Sequence, residues 1–167
     1  MKKFELTTNT KMFLGKKLFQ IKALISFGNV EAGELGGYIE KEENLSQAGD
    51  AWVAGNARVT GDAWVAGNAR VTGDARVAGN ARVAGDAWVT DNASYTTIKG
   101  FGREYRTTTF FRCKDGKVRV RCGCFYGDLE EFRAIVKKTH GESKKAKEYL
   151  MIADLMELHF EENENDK

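Results

Sequence analysis

The chain has 167 residues, 42% of them hydrophobic and 30% charged, which is typical of one folded domain or two small ones. The formal net charge is only +2, so whole-molecule charge gives no argument for a nucleic acid or a membrane surface as partner. No apolar run approaches the ~20 residues that cross a bilayer, and the N-terminal residues lack the apolar core of a signal peptide. A cytoplasmic protein is therefore expected.

The N-terminal segment predicts strands and a cap for the repeat region. Residues 18–27 alternate as a strand does. Ile39 and Leu45 fall in phase with the small apolar residues of the repeat further along the chain. Residues 1–36 are therefore assigned to N-terminal strands and a cap, and the repeat region to residues 37–98.

Residues 49–96 repeat every six residues, reading GDAWVA, GNARVT, GDAWVA, GNARVT, GDARVA, GNARVA, GDAWVT and DNASYT. Within each hexad Ala and Val are two positions apart, so they face one side of a strand while Trp or Arg faces the other. Gly followed by Asp or Asn supplies a turn, because these residues tolerate left-handed backbone angles. One hexad cannot bury its own apolar face, so the hexads must stack.

The alternation of Asp and Asn indicates how the hexads stack. With two hexads per layer, Asp would lie on Asp about 4.8 Å away and like charges would repel. With three hexads, Asp50, Asn68 and Asp86 share a column, and Arg70 lies between Trp52 and Trp88. The sequence therefore predicts an 18-residue register that stacks Val53, Val71 and Val89 inside.

These hexads resemble the hexapeptide-repeat family, whose members form left-handed parallel β-helices. The leader from about residue 13, followed by GNARV-type hexads, also resembles phage and prophage hexapeptide-repeat proteins of the polymer-forming kind. The resemblance implies a left-handed parallel β-helix over residues 37–98. It further implies a phage setting, with action in the cytoplasm of the host cell.

The C-terminal region, residues 99–167, predicts a ββαα module, which makes the chain mainly β with an α+β end. Asp115-Gly116 marks a hairpin, with Phe111 opposite Val120 if the turn has two residues. Asp128 opens a capping box for a helix that ends at Gly141, and Ser143 caps a second helix. The buried positions expected on the second helix are Tyr149, Leu150, Ala153, Met156 and Phe160.

Catalytic and metal-binding residues are not apparent. The repeat has no histidine, whereas hexapeptide acyltransferases use one as general base, and their carbonic-anhydrase relatives need three for zinc. His140 and His159 lie near helix ends. Cys113, Cys122 and Cys124 are expected to be free thiols, the latter two facing the core. We therefore expect no enzyme activity, cofactor or metal, although an acyltransferase with a carboxylate base stays open.

Two surfaces are candidate binding sites. Tryptophans and arginines alternate on the outward face of the repeat, and exposed aromatic residues often mark a contact surface. A second face on the C-terminal hairpin combines arginines with an aromatic ring and would suit phosphates or an acidic partner. Burial of the tryptophans by the C-terminal module or a neighbouring subunit, and a merely solvated hairpin face, are the alternatives. The candidate residues are Trp52, Trp64, Arg70, Arg82, Trp88, Phe110, Arg112, Arg119 and Arg121.

The preferred hypothesis is a non-enzymatic phage or prophage binding protein. It would be a rigid homo-oligomer, most simply a trimer, that inhibits a host defence protein or sequesters an anionic nucleotide signal. Neither a membrane nor a specific nucleic-acid sequence is expected as partner. A hexapeptide-type acyltransferase and a polymer-forming structural protein are the alternatives.

Overall fold

A computed structural model describes residues 1–161; residues 162–167, the end of the predicted C-terminal module, lie outside the described part. Three strands precede the repeat: β1 (Phe4–Phe13), β2 (Lys16–Ala23) and β3 (Leu35–Ile39). Seven two-residue strands lie in the repeat: β4 (Trp52–Val53), β5 (Arg58–Val59), β6 (Trp64–Val65), β7 (Arg70–Val71), β8 (Arg76–Val77), β9 (Arg82–Val83) and β10 (Trp88–Val89). The rest are β11 (Tyr95–Ile98), β12 (Thr108–Arg112), β13 (Val118–Cys122), β14 (Phe125–Asp128), α1 (Leu129–His140) and α2 (Lys144–Phe160).

The 18-residue register of the repeat is confirmed. β4, β7 and β10 pair in parallel, which places Val53, Val71 and Val89 in one column and Arg70 between two tryptophans. β5 pairs with β8, and β6 with β9, at the same spacing. The Ala and Val side chains of these strands are fully buried or nearly so and form the first hydrophobic core. The alanine at the third position is therefore buried, as predicted, in the first seven hexads, whereas Ala93 of the eighth hexad is exposed.

The predicted fold class, a left-handed parallel β-helix, is wrong. The described strands form four separate sheets of five, three, four and two strands. The five-stranded sheet is mixed, because β1, β2 and β3 pair antiparallel before β3 pairs in parallel with β5. The four-stranded sheet is antiparallel throughout, and no sheet within residues 1–161 closes on itself. Each hexad contributes only two ladder residues before its turn, so the ladders remain short and separate.

The first core is closed at its N-terminal end by larger side chains. Phe4, Ile21 and Ile39 are fully buried there. Trp52 is also fully buried, with its ring edge-to-face against Phe27 at a centroid distance of 5.4 Å. Gly36 makes room for this ring, since a Cβ at that position would lie 2.7 Å from Trp52 Cζ2.

The C-terminal region contains four strands before its helices, so the ββαα description is corrected to an antiparallel sheet β11-β12-β13-β14 followed by α1 and α2. Both helices are confirmed. Asp128 and Glu131 form the predicted capping box of α1, which ends at Gly141, and Ser143 caps α2. Four of the five expected positions on α2 are buried, and Leu150 is partly buried. No helix within the described residues is long and apolar enough to cross a membrane.

The hairpin between β12 and β13 has a register one residue away from the predicted one. Val120 lies opposite Phe110, not Phe111. The loop has three residues, because the Cys113 amide donates to the Lys117 carbonyl across it at 2.9 Å. Alternate side chains therefore face opposite sides from those expected. Phe110 packs under the helices, and Phe111 packs on the core of the repeat.

Candidate anion-binding cleft

The predicted binding residues do not form two exposed surfaces. Trp52 and Phe110 are fully buried, so their assignment as contact residues is wrong. Trp88 is 44% exposed and Trp64 is half-buried. The contacts of Trp52 with the N-terminal strands explain its burial, and the one-residue shift of the hairpin explains that of Phe110.

Two of the predicted arginines serve contacts within the chain. Arg112 donates through Nη2 to the carbonyl of Phe160 at 2.7 Å and lies over that ring. Arg119 donates to Asp115 at 2.7 Å across the hairpin loop. Since Arg112 lies on the helix side of the sheet and Arg119 on the repeat side, the predicted single basic face does not exist.

Two of the three remaining arginines, Arg82 and Arg121, meet in a cleft between the repeat and the four-stranded sheet, whereas Arg70 lies elsewhere on the repeat. The cleft has a volume of about 640 Å³. Its lining contains four basic side chains and one carboxylate; these are Arg82, Lys99, Arg106, Arg121 and Asp62. The remaining lining residues are Asn80, Thr107, Gly123 and Cys124.

Thr109 brings the two arginines together. Its hydroxyl accepts a hydrogen bond from the Arg82 backbone amide at 3.0 Å, which fixes β9 against β12. Thr109 is also the partner of Arg121 in the pairing of β12 with β13. Arg82 of the sixth hexad and Arg121 of the hairpin are thus both held next to one buried threonine.

The charge of the cleft is positive. Lys41 donates to Asp62 at 2.7 Å, and this bond lowers the pKa of the Asp62 carboxyl. Within residues 1–161, none of the four basic side chains lies within ion-pair distance of a carboxylate. Arg121 Nε is buried and has no hydrogen-bond partner there. The basic side chains of the cleft therefore carry charge that no nearby carboxylate among these residues neutralises, which suits an anion.

Trp64 extends the cleft towards the N-terminal side. The Arg82 guanidinium lies 5.7 Å from the centre of its ring, in cation–π range. A hollow of about 270 Å³ lies beside this pair and shares Asp62 and Arg82 with the main cleft. An aromatic surface therefore adjoins the basic one.

Sequence reasoning missed Lys99 and Arg106. Lys99 follows β11, and Arg106 precedes β12 in an irregular segment. Gly123 leaves room for the Arg106 guanidinium, with which a Cβ would collide. The one signal for Arg106 was the excess of basic residues between 101 and 126, which does not say where each side chain points; Lys99 lies before that stretch.

The cysteines are placed differently from one another. Cys113 is buried, and burial raises the pKa of its thiol to about 11. Cys122 is half-buried and packs against the hydrophobic core that lies between the four-stranded sheet and the two helices. Cys124 is exposed and lines the cleft, so its predicted position facing the core is wrong. Among the described residues no group of three or more His, Cys, Asp or Glu side chains could hold a metal ion.

No protein-family model matches the chain, and a search of curated proteins finds no match. The resemblance to hexapeptide-repeat and phage proteins therefore depends on the sequence pattern alone.

Proposed function

We propose that the chain is a non-enzymatic binding protein for a small anionic ligand carrying phosphate groups. The observation that carries this proposal is the group of four basic side chains around one cleft, with no carboxylate in ion-pair distance among the residues described. Phosphate oxygens accept hydrogen bonds from guanidinium groups in charge-assisted pairs, which are about twice as strong as neutral ones. Such a ligand would accept hydrogen bonds from the guanidinium groups of Arg82 and Arg121, which both line the cleft.

A nucleotide is the phosphate ligand that the cleft suits best. Its base would stack on Trp64, and its phosphates would lie between Arg82 and Arg121. A base stacked on an aromatic ring contributes roughly 1–3 kcal/mol. The formal net charge of +2 gives little attraction for a long nucleic acid, so a mononucleotide or short oligonucleotide is favoured.

Binding is preferred to catalysis because the cleft offers no base suited to proton transfer near neutral pH. Among the described residues no histidine lines it, and Asp62 has its pKa lowered by the hydrogen bond from Lys41. The phage setting suggested by the sequence would make a host-cell nucleotide signal the target, with capture in the host cytoplasm as counter-defence. No observation on the described residues favours an acyltransferase or a polymer-forming protein.

Self-association also stays a prediction. Trp52 is buried, so a trimer contact through the Trp52/Arg70/Trp88 column would depend on Trp88 and Arg70. A host protein is the second possible ligand of the same basic cleft. If a nucleotide displaced such a protein, the two would share one binding surface.

Titration calorimetry with ATP and with inorganic tripolyphosphate at low salt tests the proposal. Arg121→Gln should weaken ATP binding about tenfold or more, because it removes the charge-assisted hydrogen bonds to phosphate. Arg103→Gln is the matched control, since Arg103 is exposed and its one ion pair among the described residues is with Glu104 at 4.0 Å; this variant should bind as the wild type does. Trp64→Ala should weaken ATP more than tripolyphosphate.

Alkylation of Cys124 gives a second readout, because this thiol is exposed in the cleft while Cys113 is buried. Bound ATP should slow its modification. Failure of both ATP and tripolyphosphate to bind at low salt, or equal affinity in Arg121→Gln and wild type, would overturn the proposal.

A further inference from the structure

A second pocket lies on another face of the repeat, and its described lining residues are all different from those of the basic cleft. It has a volume of about 480 Å³. One wall is the outward column of Arg70 and Trp88, and a second is the corner column of Asp50, Asn68 and Asp86. The loop at Gly28 and the hairpin residue Lys114 close its two ends.

The charges around this pocket balance. Asp50 and Asp86 face it together with Arg70 and Lys114. No ion pair within 4.0 Å joins either carboxylate to either cation, as far as the structure describes the chain. The two carboxylates and the two cations therefore line one cavity without forming ion pairs with one another. This differs from the basic cleft, where one sign of charge prevails.

The pocket is held in shape by the register of the repeat. Asn68 Nδ2 donates to Asp86 Oδ1 at 3.2 Å, which orients that carboxylate and leaves its second oxygen available. The Lys114 amide donates to the Asp86 carbonyl at 3.1 Å, which fixes the hairpin at the pocket rim. Gly28 lies next to both walls, since a Cβ there would be in van der Waals contact, at 3.4 Å, with Arg70 Nη2 and with Asp50 Cβ.

Trp88 adds a flat apolar surface. It is 44% exposed at the pocket, in contrast to Trp52 two layers away in the same column, which is fully buried. An indole presents an apolar body on which the C–H face of a sugar ring can pack. Carboxylate, amide and guanidinium groups around such a ring are suited to hydroxyl groups, which both donate and accept hydrogen bonds.

From these observations we propose that the pocket is a second binding site, for a neutral carbohydrate. A pyranose ring would pack on Trp88, its hydroxyls donating to Asp50 and Asp86 and accepting from Arg70 and Lys114. The balanced charge disfavours a simple anion or cation there. The site is independent of nucleotide binding in the basic cleft.

The test is ligand-observed NMR with a panel of neutral hexoses, N-acetylhexosamines and their short oligomers. At least one should bind wild type, and Trp88→Ala should abolish the saturation transfer. Trp64→Ala is the matched control, because that tryptophan belongs to the other site, and it should leave saccharide binding unchanged. A glycoprotein carrying the same sugar should also compete: competition at a lower sugar concentration than the free saccharide needs assigns the site to a glycan on a partner, and equal concentrations assign it to the free saccharide.

Asp86→Asn guards against a folding defect in the tryptophan variant. It keeps an oxygen that can accept from Asn68 but removes the charge, and it should weaken saccharide binding about fivefold to tenfold without changing thermal stability. The proposal is overturned if no saccharide of the panel binds. It is equally overturned if only zwitterions such as free amino acids bind, or if Trp64→Ala and Trp88→Ala lose binding alike.

Discussion

Lys3 is a buried charged side chain that no sequence pattern predicts. It is 2% exposed, and its Nζ donates to the carbonyls of Ala51 at 2.8 Å and Gly49 at 3.2 Å. The ammonium also lies 4.9 Å from the centre of the Phe27 ring. Burial lowers the pKa of Lys3 from its usual 10.5 to about 8, and the charge of Asp50 opposes this shift only in part.

The lowered pKa of Lys3 predicts a pH dependence of stability. Between about pH 8 and 10.5 the unfolded chain holds a proton at Lys3 that the folded chain has released, so the contribution of Lys3 to the free energy of unfolding should rise with pH in this range. The raised pKa of the Cys113 thiol acts in the opposite direction, so the Lys3 contribution is isolated by comparing variants. Below pH 8 the folded chain carries a buried ammonium, and this gain is absent. The change in the free energy of unfolding from pH 7 to pH 10, measured with urea, should therefore be less favourable in Lys3→Met than in wild type. Equal changes in both proteins would contradict the prediction.

The candidate sites show what residue-level reasoning can and cannot find. Arg82 and Arg121 belong to the predicted set because their residue types stand out in a strand pattern. Their convergence depends on the contact of Thr109 with β9, which joins positions 27 residues apart. Trp52 follows the same hexad rule as Trp88 but is buried by Phe27, which lies outside the repeat.

Helix α1 is tied to helix α2 by Arg133. Its Nη2 donates to Asp154 at 2.9 Å and Glu157 at 2.6 Å, and its Nη1 donates to Glu130 at 2.6 Å. The Arg133 side chain is 15% exposed, whereas the three carboxylates are mostly exposed. One guanidinium shared by three acceptors loses its side-chain freedom only once, so the group should contribute more than an isolated surface pair.

Replacing Arg133 with Met should therefore lower the free energy of unfolding by about 1 kcal/mol at low salt. The difference from wild type should shrink in 1 M NaCl, because salt screens these exposed carboxylates. Arg103→Met is the control. The one ion pair of Arg103 among the described residues, with Glu104, is 4.0 Å long, and both side chains are exposed. Equal effects of the two substitutions in chemical denaturation would show that the shared acceptors contribute nothing.

Local signals explain which elements were predicted. The capping residues Asp128 and Ser143 act within one helical turn, and both helices begin where those residues predict. β11 and β14 were missed because each is defined by its partner strand. The loop at Asp115 has three residues rather than two, since Asp115 Oδ1 accepts from the Lys117 amide at 3.0 Å and Gly116 bonds back to Cys113.

The repeat illustrates the same limit for the fold class. Its spacing and alternation predict the register of Val53, Val71 and Val89 correctly. Repulsion between stacked carboxylates and burial of the apolar face depend only on neighbouring hexads. How the short ladders join into sheets depends on β1, β2 and β3, which pair antiparallel. Nothing in the hexad pattern contains that information.

At the scale of the whole molecule, one sheet is shared by two hydrophobic cores. Phe111 and Cys113 belong to the core of the repeat, while Phe110 and Val120 belong to the core under α1 and α2. Alternate residues of β12 thus contact opposite partners. The repeat and the helices are separated by the thickness of a single sheet, and the basic cleft opens between the repeat and this sheet.

This shared sheet predicts that the repeat and the helices unfold together. All three tryptophans lie in the repeat and report on it by fluorescence, whereas circular dichroism at 222 nm reports on the helices. Wild type should give coincident urea transitions by the two probes.

Phe111→Ala removes a fully buried ring on the repeat side and should lower the free energy of unfolding by about 3–5 kcal/mol, as should Phe110→Ala on the helix side. Because both rings stand on β12, each substitution should shift both probes equally. A fluorescence shift in Phe111→Ala that leaves the 222 nm transition in place would show instead that the helices fold independently, and the cleft would then join two separately stable units.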